Sequence, residues 1–341
     1  MKSEIERWHA MKTFWRLCAS AVIAAILAPL GHVSVASALE YSVTTLEPLP
    51  GDTTSFVAME GVNNRGQVVG SSGVSPSVPV IWNGTTPTAL GTFSGSSDSF
   101  GTSINNRGQI VGYSYFFNGN TEAALATSWI GTTPTALGSL GGNVSGASAI
   151  NNSGQIAGLS QLPNGDFRAV IWNRTTTPTN LGTLGGNSSA AYGINNRGQV
   201  VGFAALADGT NRAVIWTGTT PTVLGMLPGA TSAGASSINN RGQVVGNSTF
   251  CQAPSPPTCS GPFRATIWNG TTPTDLGMLP GAFLSFATAI NNAGQVVGAS
   301  DLDLNPYAHF TPLFGMGPHL SISTAYLTKA VSDGPLRTLQ A

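Results

Sequence analysis

Gly193–Gly202 reads "GINNRGQVVG", and five near-copies stand elsewhere in the 341-residue chain: GVNNRGQVVG from Gly61, SINNRGQIVG from Ser103, AINNSGQIAG from Ala149, SINNRGQVVG from Ser237 and AINNAGQVVG from Ala289. Aligned on their glutamine, the copies fall at Gln67, Gln109, Gln155, Gln199, Gln243 and Gln295, spaced by 42, 46, 44, 44 and 52 residues. A period in the forties built of strand-like segments predicts propeller blades rather than a helical solenoid.

Working outward from the phrase, one unit reads "SSAAYGINNRGQVVGFAALADGTNRAVIWTGTTPTVLGML". It holds four β-like runs, AAYGI, QVVGFAA, RAVIW and TVLGML, each bounded by turn residues. Asn195-Asn196-Arg197-Gly198 predicts a hairpin turn, with Asn opening a type I turn and Gly taking the left-handed position that starts a bulge. The second connection often holds a two-residue turn signal, as at Asn118-Gly119, Asn164-Gly165 and Asp208-Gly209. The third is of the GTTPT type, with Pro87, Pro134, Pro178, Pro221 and Pro273 just before the last strand, where a missing N–H does least harm. The expectation is therefore an all-β chain, a β-propeller of six four-stranded blades. The N-terminal piece YSVTTLEPLPG aligns with the end of a unit and is expected to supply the outer strand that closes the ring.

The third run carries Trp82, Trp129, Trp172, Trp216 or Trp268. Strand alternation puts each on a sheet face that a neighbouring blade covers, which favours a structural core role over carbohydrate stacking. With the turn, R-A-x-I-W and L-G-x-L motifs on the page, the chain resembles the HAF-repeat family of extracellular bacterial repeat proteins over roughly Tyr41 to Ser300. The family's naming tripeptide is replaced here by Arg-Ala-Val or Arg-Ala-Thr. The resemblance implies a repeat fold and carries over no catalytic residue.

Upstream of the repeats, residues 1–38 have basic residues, an apolar run from Leu17 to Leu30 and then Ala36-Ser37-Ala38, the order of a cleaved signal peptide. Met11 begins an equally good leader. A membrane anchor is the other reading, but the run falls short of the roughly 20 residues a span needs and Pro29 interrupts it. The expected location is thus secreted or periplasmic, with no stable anchor after cleavage. The repeat domain is expected over 39–316 and a tail over 317–341; an extension, an extra strand and a frameshift scar all remain open for the tail.

Beyond the leader, ten of the 14 Lys and Arg and 12 of the 14 Asp and Glu remain, a balance that argues against a nucleic-acid partner. Cys251 and Cys259 flank a short loop. An oxidising compartment favours a disulfide, with two free thiols as the alternative. Neither has the partners a zinc site needs.

Catalytic groups are sparse. His309 and His319 sit in no metal-binding or nucleophile-base spacing. Asp301-Leu302-Asp303-Leu304-Asn305 begins like a calcium loop but has Pro306 and Pro312 where the turn Gly and the bidentate acid belong, so it reads as a polar loop. No acid recurs from unit to unit to build a glycosidase pair. No metal and no cofactor is expected.

Two surfaces remain as binding candidates. Arg65, Arg107, Arg197 and Arg241 occupy one turn position in four units and predict a partial ring of charge able to meet an anionic surface. At the opposite end the connections vary, as binding loops on a rigid scaffold do. Prominent there are Tyr113, Tyr115, Phe116 and Phe117, and Phe250 beside the cysteine loop. The leading expectation is an exported, non-enzymatic protein that binds a protein or glycan through the variable-loop end. A polysaccharide lyase or hydrolase on the same scaffold and a structural surface repeat without a ligand are the alternatives. The sequence sets no oligomeric state.

Overall fold

A computed structural model describes residues 44–74, 76–117, 122–250, 262–301, 325–330 and 337–339. The chain divides into Met1–Val43, none of which is described, and Thr44–Ala341, to which all that follows refers. The proposed leader, Cys251, Cys259, His309, His319 and most of the tail lie outside the described residues.

Among the described residues, 24 strands form six antiparallel four-stranded meanders, a β-propeller architecture. The first consists of β1 (Ser55–Val62), β2 (Gln67–Ser72), β3 (Val78–Asn83) and β4 (Thr86–Ala89). The others span 98–136, 145–180, 185–223, 232–275 and 284–339. Inner strands of successive sheets lie side by side, and the inner strand of the sixth also touches that of the first, so the sheets surround one axis. Among these residues no helix is long and apolar enough to cross a membrane.

The core sits between sheets. Val111 and Ala126 of the second sheet pack with Ile156, Val170 and Trp172 of the third, and equivalent clusters join each later pair. All five expected tryptophans are fully buried. The indole N–H of Trp82, Trp129, Trp172 and Trp268 donates to the carbonyl of Glu47, Gly91, Gly138 and Gly225 respectively, each in the segment that precedes its own sheet. These aromatics fill space between blades and are closed to a ligand.

Trp216 is the exception, since its indole nitrogen has no hydrogen-bond partner among the described residues. Its place in the pattern would take the carbonyl of Gly182, but Asn180 stands where the first two sheets have Ala89 and Ala136. The Asn180 side-chain oxygen captures the Gly182 N–H at 2.8 Å, Gly182 turns to a φ of 77°, and its carbonyl accepts from Ser189 instead.

The inner strands carry a β-bulge. In the second sheet Gly101 pairs with Gly112 and Ser103 with Val111, leaving Thr102 as the extra residue. The slip brings backbones so close that a Cβ on Gly112 would collide with the Phe100 carbonyl oxygen, and the equivalent glycines of the other sheets meet the same wall. The last letter of the "QVVG" phrase is therefore dictated by backbone approach.

The two ends of the chain meet differently from expectation. Thr44–Leu49 forms no strand; it lies against the first sheet, with the Glu47 N–H on the Thr85 carbonyl. The fourth strand of the sixth sheet, the role given to this piece from sequence, is Arg337–Leu339, paired to Ala325–Ala330 from the tail. The seam between the sixth and first sheets is looser than the others: Val62 is 65% and Val297 40% exposed, whereas their counterparts Ile104 and Val111 are 5% and 0%.

Candidate functional site

The repeated phrase does more than turn a hairpin. In the fourth sheet Asn195 receives the N–H groups of Arg197 and Gln199 on its side-chain oxygen, and Gly198 closes the turn at a φ of 77°. Its amide then donates to Gln199 Oε1 and, at 3.1 Å, to the carbonyl of Asn239 in the next sheet. The second asparagine makes a parallel link, the Asn196 N–H donating to Asn240 Oδ1 at 2.8 Å. The same two bonds join Asn63 and Asn64 to Asn105 and Asn106, and so on to Asn291 and Asn292. Five joints thus form one continuous ladder across all six turns, and among the described residues it does not continue from the sixth turn to the first. Sequence reasoning missed the ladder. Its signal was the second asparagine, present in all six copies although a type I turn does not require it.

Arg65, Arg107, Arg197 and Arg241 project from this ladder and are exposed, as the turn position predicts. Ser153 and Ala293 take their place in the third and sixth turns. Within the third sheet, Arg174 from the neighbouring turn lies beside Gly154, its Cγ 3.8 Å from where a Cβ on that glycine would stand.

At the other end of the second sheet the aromatic residues converge. Phe100 lies 5.3 Å from Tyr113 and 6.2 Å from Tyr115, and the two tyrosines meet edge-on at 5.4 Å. Phe116 faces Phe93 across 6.4 Å, and Phe117 is 60% exposed. Burial raises the Tyr115 hydroxyl, helped by the nearby Glu122 and Asp98 carboxylates, and burial raises Tyr113 as well. Both stay neutral phenols near neutral pH. Phe250 does not join this group: it sits in the fifth sheet, its N–H on the Pro262 carbonyl and its ring against Gly229.

A third feature, also missed from sequence, is Glu60. Ser55-Phe56 and Ser99-Phe100 hold equivalent pairing positions, but eight residues separate Ser55 from Asn63 and six separate Ser99 from Asn105. The two-residue insertion widens the first bulge to the whole of Val57–Val62. It also brings Glu60 to Ser237 of the fifth sheet. Those sheets are not neighbours, so the contact runs over the axis. Glu60 is half-buried by area, yet protein surrounds the carboxyl; burial pushes it up to about 7, and a hydrogen bond from Ser237 pulls the other way. Comparing SFVAMEGVNN with SFGTSINN would have found it. Among the described residues no group of three or more His, Cys, Asp or Glu could hold a metal ion.

No protein-family profile matches the chain, and no curated protein does. Similar solved structures include a puromycin-hydrolysing peptidase of Mycobacterium tuberculosis, at 10% identity and a TM-score of 0.43, over 87% of this chain and 56% of that one. A gluconolactonase of Xanthomonas campestris is similar at 8% identity and a TM-score of 0.40, over 73% of this chain and 84% of that one. The six-bladed β-propeller lectin of Aleuria aurantia, which recognises fucose, is similar at 9% identity and a TM-score of 0.35, over 84% and 76%. The chain spans little more than half the length of the peptidase.

Proposed function

We propose that the chain is an exported, non-enzymatic binding protein that takes a protein or glycan ligand, at the cell envelope or outside the cell, through the end of the sheets where connections vary. The observation that carries this reading is the aromatic group of Phe100, Tyr113 and Tyr115 with Phe117 exposed beside it. Neutral aromatic rings with polar edges suit sugar faces and protein side chains alike. A glycan array and a pull-down from envelope extract test it. Retention that falls in Tyr115→Ala, Phe116→Ala and Phe117→Ala, with unfolding temperature unchanged, supports the reading. Retention indifferent to all three overturns the placement, and blanks in both assays favour a structural repeat without a ligand.

One observation favours an enzyme acting on polysaccharide. Glu60 titrates near neutrality, as a general acid or base does. Glycoside hydrolysis takes a pair of carboxylates, and no neighbouring acid contributes to the rise at Glu60, so binding is the better reading. Turnover of a polysaccharide panel that disappears in Glu60→Gln would reverse that order.

A further inference from the structure

The third turn breaks the arginine pattern and the structure mends it. Four sheets place a glycine after the last residue of the third strand, Gly84, Gly131, Gly218 and Gly270, at φ values of 66°, 61°, 62° and 63°. The third sheet has Arg174 there at a φ of 59°, the one left-handed non-glycine among the described residues. A Cβ makes that conformation unfavourable, and such strain persists at positions where the side chain has a use. Arg174 lies beside Gly154, in the one turn of the first five whose arginine is missing, where Ser153 stands. Its neighbour Asn173 accepts from Gln155 of that same turn at 3.2 Å, which fixes the two turns side by side.

Five consecutive sheets thus present one guanidinium each along the ladder: Arg65, Arg107, Arg174, Arg197 and Arg241. All five are exposed, and none has a side-chain partner among the described residues. The ion pairs among those residues, Arg168–Asp166 and Arg264–Asp275, involve other arginines. Most described carboxylates stand at the far end of the sheets. Asp98 and Glu122 begin strands there, Asp166 and Asp208 lie in or beside the second-to-third turns, and Asp52 sits by the end of β2. Glu47, by the outer turn of the first sheet, and Glu60, three residues before Asn63 of the ladder, are the exceptions.

We propose that the turn face docks on an anionic lipid surface through these five arginines. The ladder ties each turn to the next, so the five arginines stand along one row of joined turns. A plane of headgroup phosphates meets five spread cations at once, and each contributes a roughly equal increment. This inference is independent of the ligand reading, which concerns the opposite end, so the aromatic variants leave lipid binding intact and the arginine variants leave ligand retention intact.

The test is co-sedimentation of the full chain with phosphatidylcholine vesicles, with and without phosphatidylglycerol. Binding is expected only with phosphatidylglycerol, and it is expected to vanish in about 1 M salt, where the Debye length is about 3 Å. Arg174→Gly restores the residue of the other sheets; it is expected to weaken partitioning about fivefold while leaving the unfolding temperature equal or higher. Arg65→Ala with Arg107→Ala is expected to weaken it about 25-fold. Equal binding to both vesicle types, no binding to either, or partitioning unchanged in Arg174→Gly overturns the proposal. Tighter retention on a soluble sulfated polysaccharide than on phosphatidylglycerol vesicles overturns the lipid assignment in favour of a polyanionic polymer.

Discussion

The side-chain amide of Asn151 donates to the backbone carbonyl of Asn195, 3.0 Å away in the following sheet. The same side chain accepts from the N–H groups of Ser153 and Gln155 and donates to Gln155 Oε1. Both lone-pair directions and both N–H groups are used, so this asparagine is saturated inside a nearly closed environment. Asn151→Ala leaves several buried groups unpaired and is expected to cost about 3 kcal/mol. Asn291, the exposed last member of the ladder, has no onward partner among the described residues, and Asn291→Ala is expected to cost about 1 kcal/mol. Urea unfolding of the two variants checks the difference, and equal losses would remove the ladder as the cause.

Trp216 is fully buried with an unpaired indole N–H because Asn180 draws Gly182 away. Asn180→Ala, the residue of the first two sheets, frees that glycine to take the common conformation. The variant is expected to be about 1 kcal/mol more stable, since an unmet buried donor gains an acceptor. Nuclear magnetic resonance should show the Trp216 indole proton moving downfield and exchanging more slowly with solvent.

Gly202 has no room for a methyl group, because a Cβ there would collide with the Ala190 carbonyl oxygen. Gly202→Ala is expected to lose about 3 kcal/mol or to prevent folding, since backbone rather than a flexible side chain stands in the way. Gly165, at a hairpin tip with nothing near its missing Cβ, has only its φ of 92° to strain, and Gly165→Asn is expected to cost less than about 1 kcal/mol. Thermal melts of the pair separate close approach from dihedral strain.

Glu60 ties stability to pH in a stated direction. Its folded value, about 7, lies above the ordinary 4.5, so the fold favours the protonated acid. The stabilisation is complete below about pH 4.5 and is lost as pH rises through 7, a difference on the order of 3 kcal/mol. Unfolding midpoints should therefore fall between pH 5 and pH 8 in the native chain and stay level in Glu60→Gln. A native profile that rises with pH over this window would contradict the enclosure of the carboxyl.

How much of this was legible beforehand depended on which interactions were local. The hairpin turn at Asn195–Gly198 and the buried tryptophans follow from spacing and turn chemistry within a single unit, whereas Pro87, Pro134, Pro178, Pro221 and Pro273, expected just before the fourth strand, stand within it opposite the tryptophan. The bond from Asn151 to Asn195 spans 44 residues and has no local signature; only the unexplained second asparagine hinted at it. Arg174 was passed over because a left-handed arginine cannot be told from a loop arginine by its letter. Glu60 was missed because no acid recurs at its position, although an insertion of two residues marked the place. The aromatic run of the second sheet stood out by its letters, but they did not show that Phe116 turns to Phe93 while Tyr113 and Tyr115 meet each other, nor that Phe250, named for its place beside the cysteine loop, lies three sheets away.

The ladder also bears on how such chains change length. Every joint is made by the same pair of asparagines, so duplicating or deleting one forty-odd-residue stretch would leave each remaining joint with identical partners. Local bonding is therefore indifferent to how many sheets the gene encodes. Only between the sixth and first sheets, where Val297 and Val62 stay exposed and the ladder skips among the described residues, does the bonding register how many sheets have gone before.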